Sequence, residues 1–186
     1  MASGSRKSFF ASISGATARR FDSCSTRFQF VSPSYGTKRQ PLGCREIAVY
    51  RYESGMQTEQ NKELVRRWIA FADAGFPGTF DEFIATDYVG HLGDTDLDVA
   101  ELERAERAFT HSFPDTLYSI EEMVAENDRV VLRVTTRGTH RGEFQGIAPT
   151  GRRVEFTGIV IYRIAGNKIA ESWGELDFLR LMRQLR

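Results

Sequence analysis

The chain has 186 residues, 41% of them hydrophobic and 27% charged, enough for one domain with a sizeable core and short for two. Its 25 Lys and Arg balance 25 Asp and Glu, so no global field points to nucleic acid or a membrane surface as partner. No apolar run approaches the roughly 20 residues that a membrane span requires.

The even balance hides an asymmetry. Residues 1–55 carry nine Lys/Arg against three Asp/Glu, with ten serines, whereas residues 56–186 carry sixteen against twenty-two, with three serines. The first 55 residues show no sustained period of 2 or 3.6 and are expected to be mostly disordered, with residues 56–186 forming the domain. Three readings of this extension stand side by side. It is an over-extended start upstream of an initiator at Met56, a basic and Ser-rich transit-type segment directing organellar import, or a disordered tail. No apolar core of roughly 7–15 residues marks a secretory signal, so the domain is expected in the cytoplasm unless that import operates. Cys24 and Cys44 fall in the extension, which implies neither a disulfide nor a metal site.

From Glu59, the spacing of Leu64, Val65, Trp68, Ile69, Phe71 and Ala72 predicts a helix with one apolar stripe. Thr58 can cap its start, and it should stop at Gly75 ahead of Pro77. Thr79 can cap a short helix through Phe80, Phe83 and Ile84. Asp87–His91 reads as a short extended piece and Gly93–Asp98 as a polar loop. Asp98 then caps a helix from Val99 to about Phe113, with Leu102, Ala105, Phe109 and Phe113 as its apolar positions. After Pro114 the character changes to strands: Leu117–Met123, Val130–His140, Val154–Ile164 and the segment around Trp173. A long loop with Gly142, Gly146, Pro149 and Gly151 separates the second from the third, and Phe178–Leu185 closes the chain as a helix. This order predicts an α+β class, with helices gathered on one face of a curved antiparallel sheet.

The last strand carries the most unusual pattern. Alternation places Ile169, Glu171, Trp173, Glu175 and Asp177 on one face, and Ala170, Ser172, Gly174 and Leu176 on the other. Carboxylates around a large aromatic are costly on a core face unless paired or functional. Asp177, at the join with the last helix, is its N-cap, a general base whose pKa is raised by Trp173, or a solvated carboxylate. His140 is in phase with Leu132, Val134 and Thr136 and should point inward, as an orienting donor or as a core-edge histidine bonded to backbone. His91, in phase with Val89, lines the same pocket or holds the following loop. His111 lies off the apolar stripe and reads as surface. Glu171 is a pocket candidate, while Glu175 reaches solvent or a partner. Phe113, Phe144, Ile147 and Trp68 are core residues that also supply cavity walls, Phe144 and Ile147 as lid residues. The spacing 91, 140, 177 matches no compact metal motif.

Seven segments in chain order carry a family resemblance: Tyr88–His91, Phe113–Asp115, Val124–Arg133, Gly138–His140, Gly146–Gly151, Gly158–Arg163, and Lys168–Trp173 with Asp177. Over about Glu59 to Leu185 the chain resembles the SnoaL-like polyketide cyclase and ester cyclase group of the nuclear-transport-factor-two-like superfamily. The resemblance implies a cone-shaped α+β barrel, with a curved mixed or antiparallel sheet and helices closing one side of a central pocket. It implies acid/base chemistry of the intramolecular aldol type on a small hydrophobic carbonyl compound, with no metal or organic cofactor, and a homodimer. By this resemblance Asp177 is the catalytic acid/base and His91 has a place in the pocket; His91 and His140 are read as polarising or orienting donors. Trp173, Glu171, Phe113, Phe144, Tyr88 and Ile147 are the substrate-binding set. Many relatives have a His or another polar residue where this chain has Val160, which favours the alternative of a non-catalytic binding module. Isomerase- or epoxide-hydrolase-like chemistry would need a Tyr–Asp or Asp–Arg–Asp set that the sequence does not place.

Overall fold

A computed structural model describes residues 44–186, with side chains from Gly55 onward. Residues 1–43, including Cys24, lie outside the described residues, and with them most of the extension's expected disorder.

Helix α1 spans Cys44–Asp73, so the boundary expected at residue 56 falls inside a helix. Gly55 does not break it, because an interior glycine costs only about 1 kcal/mol relative to alanine. Thr58, expected as a cap, is interior, and its hydroxyl donates to the Gly55 carbonyl. The stripe Leu64, Val65, Trp68, Ile69 and Ala72 is buried as expected. The chain then turns through Gly75 and Phe76, both at positive φ. Phe76 accepts this conformation because its ring packs 5.6 Å from Trp68, 5.4 Å from Phe71 and 5.0 Å from Phe80. Thr79 makes no capping bond, and Phe80–Glu82 is a single 3-10 turn. Ile84 already belongs to the sheet, drawn there as Ile169 N–H donates to the Phe83 carbonyl.

The remaining elements are β1 Ile84–Leu92, β2 Thr95–Leu97, α2 Val99–Ser112, β3 Leu117–Glu126, β4 Arg129–Thr139, β5 Arg153–Ala165, β6 Lys168–Leu176 and α3 Phe178–Leu185. The extended piece at 87–91 is thus the second half of a nine-residue strand, and the polar loop after it holds the short β2. Asp98 caps α2 in a full capping box with Glu101. The six strands form one open sheet in the order β2-β1-β6-β5-β4-β3. It is mixed rather than purely antiparallel, because β1 and β6 run parallel. No described helix is long and apolar enough to cross a membrane.

All three helices lie against one side of the sheet. On this inner face α1 and the start of α2 cover one apolar cluster, built on Trp68, Val130, Leu132 and Tyr162. The end of α2 and α3 cover a second, built on Phe113, Val154, Phe156 and Leu181. The outer face carries the alternate residues and, among the described residues, no helix.

Candidate active site

The face that each strand residue takes is set by one irregularity. Ile164 pairs with Ile169, but Arg163 pairs with Glu171, so Ala170 is an extra residue in β6. Ile169 and Ala170 are both buried, and the phase inverts across them. From Glu171 on, odd residues point outward, whereas Ser172, Gly174 and Leu176 point inward. This corrects the expected pocket set: Glu171, Trp173 and His91 all lie on the outer face.

There they form a cluster of their own. The His91 ring stacks on Trp173 at 5.4 Å, and the Arg129 guanidinium lies over the Trp173 ring at 5.2 Å. His91 Nδ1 is 2.7 Å from Asp96 and Nε2 is 3.1 Å from Glu171, which Arg163 also holds at 2.7 Å. Hydrogen bonds to Glu171 and then Asp96 raise the His91 pKa, and the Arg163 bond, then that of His91, lowers the Glu171 pKa. Every group here has its partner within the cluster.

Asp177 is the N-cap of α3, its carboxylate accepting the Arg180 N–H at 2.9 Å. It is exposed, in an open concavity of about 570 Å³ shared with Leu179, Arg180, Arg183 and Gln184. Trp173 lies on the outer face between His91 and Arg129 and gives Asp177 no enclosure. The capping role is the one its geometry supports. Asp177→Ala should therefore lower stability by about 1 kcal/mol in chemical denaturation, with turnover changed less than threefold. A thousandfold loss of turnover would return Asp177 to the catalytic set.

His140 does point inward. It is fully buried and its ring stacks on Phe113 at 5.2 Å. Phe144 and Ile147 are half-buried against the second cluster, joined by a bridge in the glycine-bearing loop. Tyr88 is 5% exposed on the inner face, with its hydroxyl 2.7 Å from Ser172 Oγ. Gly90 makes that bond possible, since a Cβ there would meet the Tyr88 hydroxyl at 2.4 Å. Asp177, His91 and His140 thus occupy a solvent-open helix start, the outer face and the inner core, and they do not form one site.

The group the sequence reading missed is Glu106. Positions 99, 102, 106, 109 and 113 form the inward stripe of α2. Val99 and Leu102 pack on the first cluster, Phe109 and Phe113 on the second, and Glu106 sits between them. Burial alone pushes its pKa up to about 7, with no ion-pair partner to oppose the shift. Its charge raises the pKa of Tyr88, Tyr118 and Tyr162, each already raised mainly by its own burial. A carboxyl poised near neutrality on the inward face of a helix, its charge felt by three tyrosines, is an arrangement able to move a proton. The mid-sheet inner positions Gly158, Val160 and Gly174 carry no polar side chain. Among the described residues no group of three or more His, Cys, Asp or Glu is placed to hold a metal ion.

The model of the SnoaL-like polyketide cyclase family matches residues 62–185. The chain belongs to that family. AclR from Streptomyces galilaeus is similar in structure at a TM-score of 0.65 and 27% identity, over 69% of this chain and 96% of that one. IdmH from Streptomyces antibioticus is similar at 0.62 and 30%, over 68% and 98%. A SnoaL-like polyketide cyclase from Agrobacterium tumefaciens shares the fold at 0.58 and 19% identity, over 68% and 98%. No curated protein is matched by the sequence. Family and fold together support a cyclase-type role, and the open six-stranded sheet with its helices is the cone-shaped fold of the superfamily.

Proposed function

We propose that the chain is a cofactor-free acid–base enzyme of cyclase type, acting on an uncharged hydrophobic carbonyl compound held on the inner face. Glu106 takes and returns the proton. The observation that carries this reading is a lone carboxyl on the inward stripe of α2, held near pKa 7 by burial. The Glu106 carboxylate removes a proton from the carbon next to the substrate carbonyl, and the electron pair moves onto the carbonyl oxygen. Phenol O–H groups of Tyr88 and Tyr162 donate to that developing enolate. The enolate carbon attacks a second carbonyl of the same molecule to form the ring bond, and the new alkoxide takes the proton back from Glu106. The inner strand positions supply no cation, which favours a neutral substrate.

A second reading, a binding module without chemistry, is favoured by the apolar Gly158, Val160 and Gly174 in mid-sheet. Incubation with 2-tetralone, an enolisable bicyclic ketone, in D₂O separates the two. Exchange of its α-protons faster than in buffer supports catalysis, and saturable binding without exchange supports the module.

The same proposal pairs two copies through the outer face. Val124, Val131, Ile161, Trp173 and His91 stand in register as one row across five strands, and Val124, Val131, Ile159 and Val89 are 56%, 37%, 49% and 38% exposed. Val131→Glu should give a monomer in sedimentation velocity where the parent chain is a dimer. A monomeric parent chain, or a variant that stays dimeric, overturns the pairing.

A further inference from the structure

A glycine inside a strand weakens it, because it has no side chain to pack and loses the most freedom on ordering. Three of the four strand glycines are required by what surrounds them. A Cβ on Gly90 would strike the Tyr88 hydroxyl and one on Gly158 the Leu176 side chain. On Gly138 it would come within 3.2 Å of Thr116 Oγ1 and 3.3 Å of Phe113 Cβ. Gly174, inside β6, has no such constraint. It is not among the glycines at positive φ, so its backbone does not call for glycine. Among the described residues, a Cβ there would meet only Leu92 Cδ1, at an ordinary contact distance of 3.4 Å.

The position of Gly174 says what that space is for. It pairs with Val160 on one side and Leu92 on the other, which puts it on the inner face with them. Val160 packs on the first apolar cluster, and Leu176, next in phase after Gly174, packs on the second. Gly174 thus lies at the seam between the two clusters, as Glu106 does on α2. One inward position before it, about 7 Å along the strand, Ser172 is hydrogen-bonded to Tyr88 at 2.7 Å. That tyrosine feels the Glu106 charge. Leu92, Val160, Ser172, Gly174 and Glu106 are only half-buried, although they point to the side that the helices cover. The inner face is accessible at this seam, and its floor is the bare Gly174 peptide.

We infer that Gly174 is a specificity-determining residue: the apolar body of the substrate rests on its peptide, and the missing side chain sets how bulky a ketone the seam admits. This rests on the inner-face reading above. Leu92 and Val160 flank the floor, so the portion received there is hydrocarbon, not a charged or hydrogen-bonding group. A side chain at 174 would take that space, and its cost should grow with the bulk of the ketone.

The test compares cyclohexanone with the bulkier 2-tetralone on the full chain, Gly174→Ala and Gly174→Val. Dissociation constants come from ligand-observed NMR, and KM and kcat from α-proton exchange in D₂O. Gly174→Val should weaken 2-tetralone binding about tenfold or more and cyclohexanone less than about threefold. The same factors should appear in KM, with kcat within about threefold. Gly174→Ala should weaken 2-tetralone about threefold and cyclohexanone hardly at all, which decides the matter should the valine chain fail to fold. It should also melt at or above the parent temperature, because a Cβ with room around it favours a strand. Equal losses for the two ketones, or an unchanged 2-tetralone affinity, overturn the assignment. So does a lower melting temperature for Gly174→Ala with both affinities unmoved, the result expected if residues 1–43 fill the space. Size-dependent losses with exchange unchanged in Glu106→Gln would reject Glu106 alone. Unmoved affinities with exchange lost in Glu106→Gln would reject Gly174 alone, and a parent chain that binds neither ketone overturns both.

Discussion

Glu106→Gln should cut α-proton exchange of 2-tetralone by roughly 10²–10⁴-fold, the range that a positioned acid–base group contributes. Glutamine fills the same space without a proton to exchange, so a rate within tenfold of the parent chain would remove Glu106 from the mechanism. The pH profile gives a second check. The base works ionised, so the rate of the parent chain should rise with pH and level off above about 7, where Glu106 completes its titration. Stability should move the other way. In the unfolded chain the carboxyl ionises around the ordinary value of 4.5, but in the folded chain it holds its proton up to about 7. Between those values the folded state binds more protons, so stability falls as pH rises from about 4.5 to about 7 and stays lower above it. Partial exposure of the Glu106 side chain tempers the size, leaving roughly 1–3 kcal/mol. A glutamine side chain has no charge to bury, and the variant should be more stable than the parent at pH 8 by that amount. Activity lost with stability gained is the signature of a group kept for chemistry, because a structural residue would lose both.

The element order was legible because apolar periodicity and turn residues act locally. Asp98 with Glu101, the α1 stripe and the four long strands needed no knowledge of the tertiary contacts. The site was less legible, and for a specific reason. Alternation along β6 was read without a break from Ile169 to Asp177, but Ala170 is an extra residue in the ladder, and everything after it changes face. One residue moved Trp173 and Glu171 from the expected pocket to the outside, where His91, on the neighbouring parallel strand, joins them. The phase of β4 has no such bulge toward β5, and His140 was placed correctly as inward. Glu106 did leave a signal: a carboxylate between Leu102 and Phe109 at the spacing of one helix face, where a solvated charge does not belong. Ala105 was taken as the core position in that turn and is exposed. Gathering Tyr88, Tyr118 and Tyr162 around that carboxyl depends on four separate elements, so no local pattern could announce it.

Phe113→Ala should carry the largest penalty in stability, about 3–5 kcal/mol. Phe113 is fully buried at the end of α2, where its N–H closes the helix on the Phe109 carbonyl and its own carbonyl accepts from both N–H and hydroxyl of Thr116. Its ring is the common neighbour of Phe109, Phe144 and His140. Truncation removes that ring and leaves a cavity bounded by Gly138, whose missing Cβ already leaves the Phe113 Cβ close to β4. Chemical denaturation should show a lower midpoint with an unchanged slope, and the melting temperature should fall on the order of 10 °C. A loss below about 1.5 kcal/mol would mean that α2 and the glycine-bearing loop pack without this ring. Phe113→Leu refills most of the volume and should recover more than half of the loss. It should not restore the flat surface against which the His140 imidazole lies. In that variant, below its melting point, 2-tetralone exchange by Glu106 should stay near the parent rate. The two ends of the α2 stripe would then be separable by experiment, one acting on the proton and the other holding the second apolar cluster together.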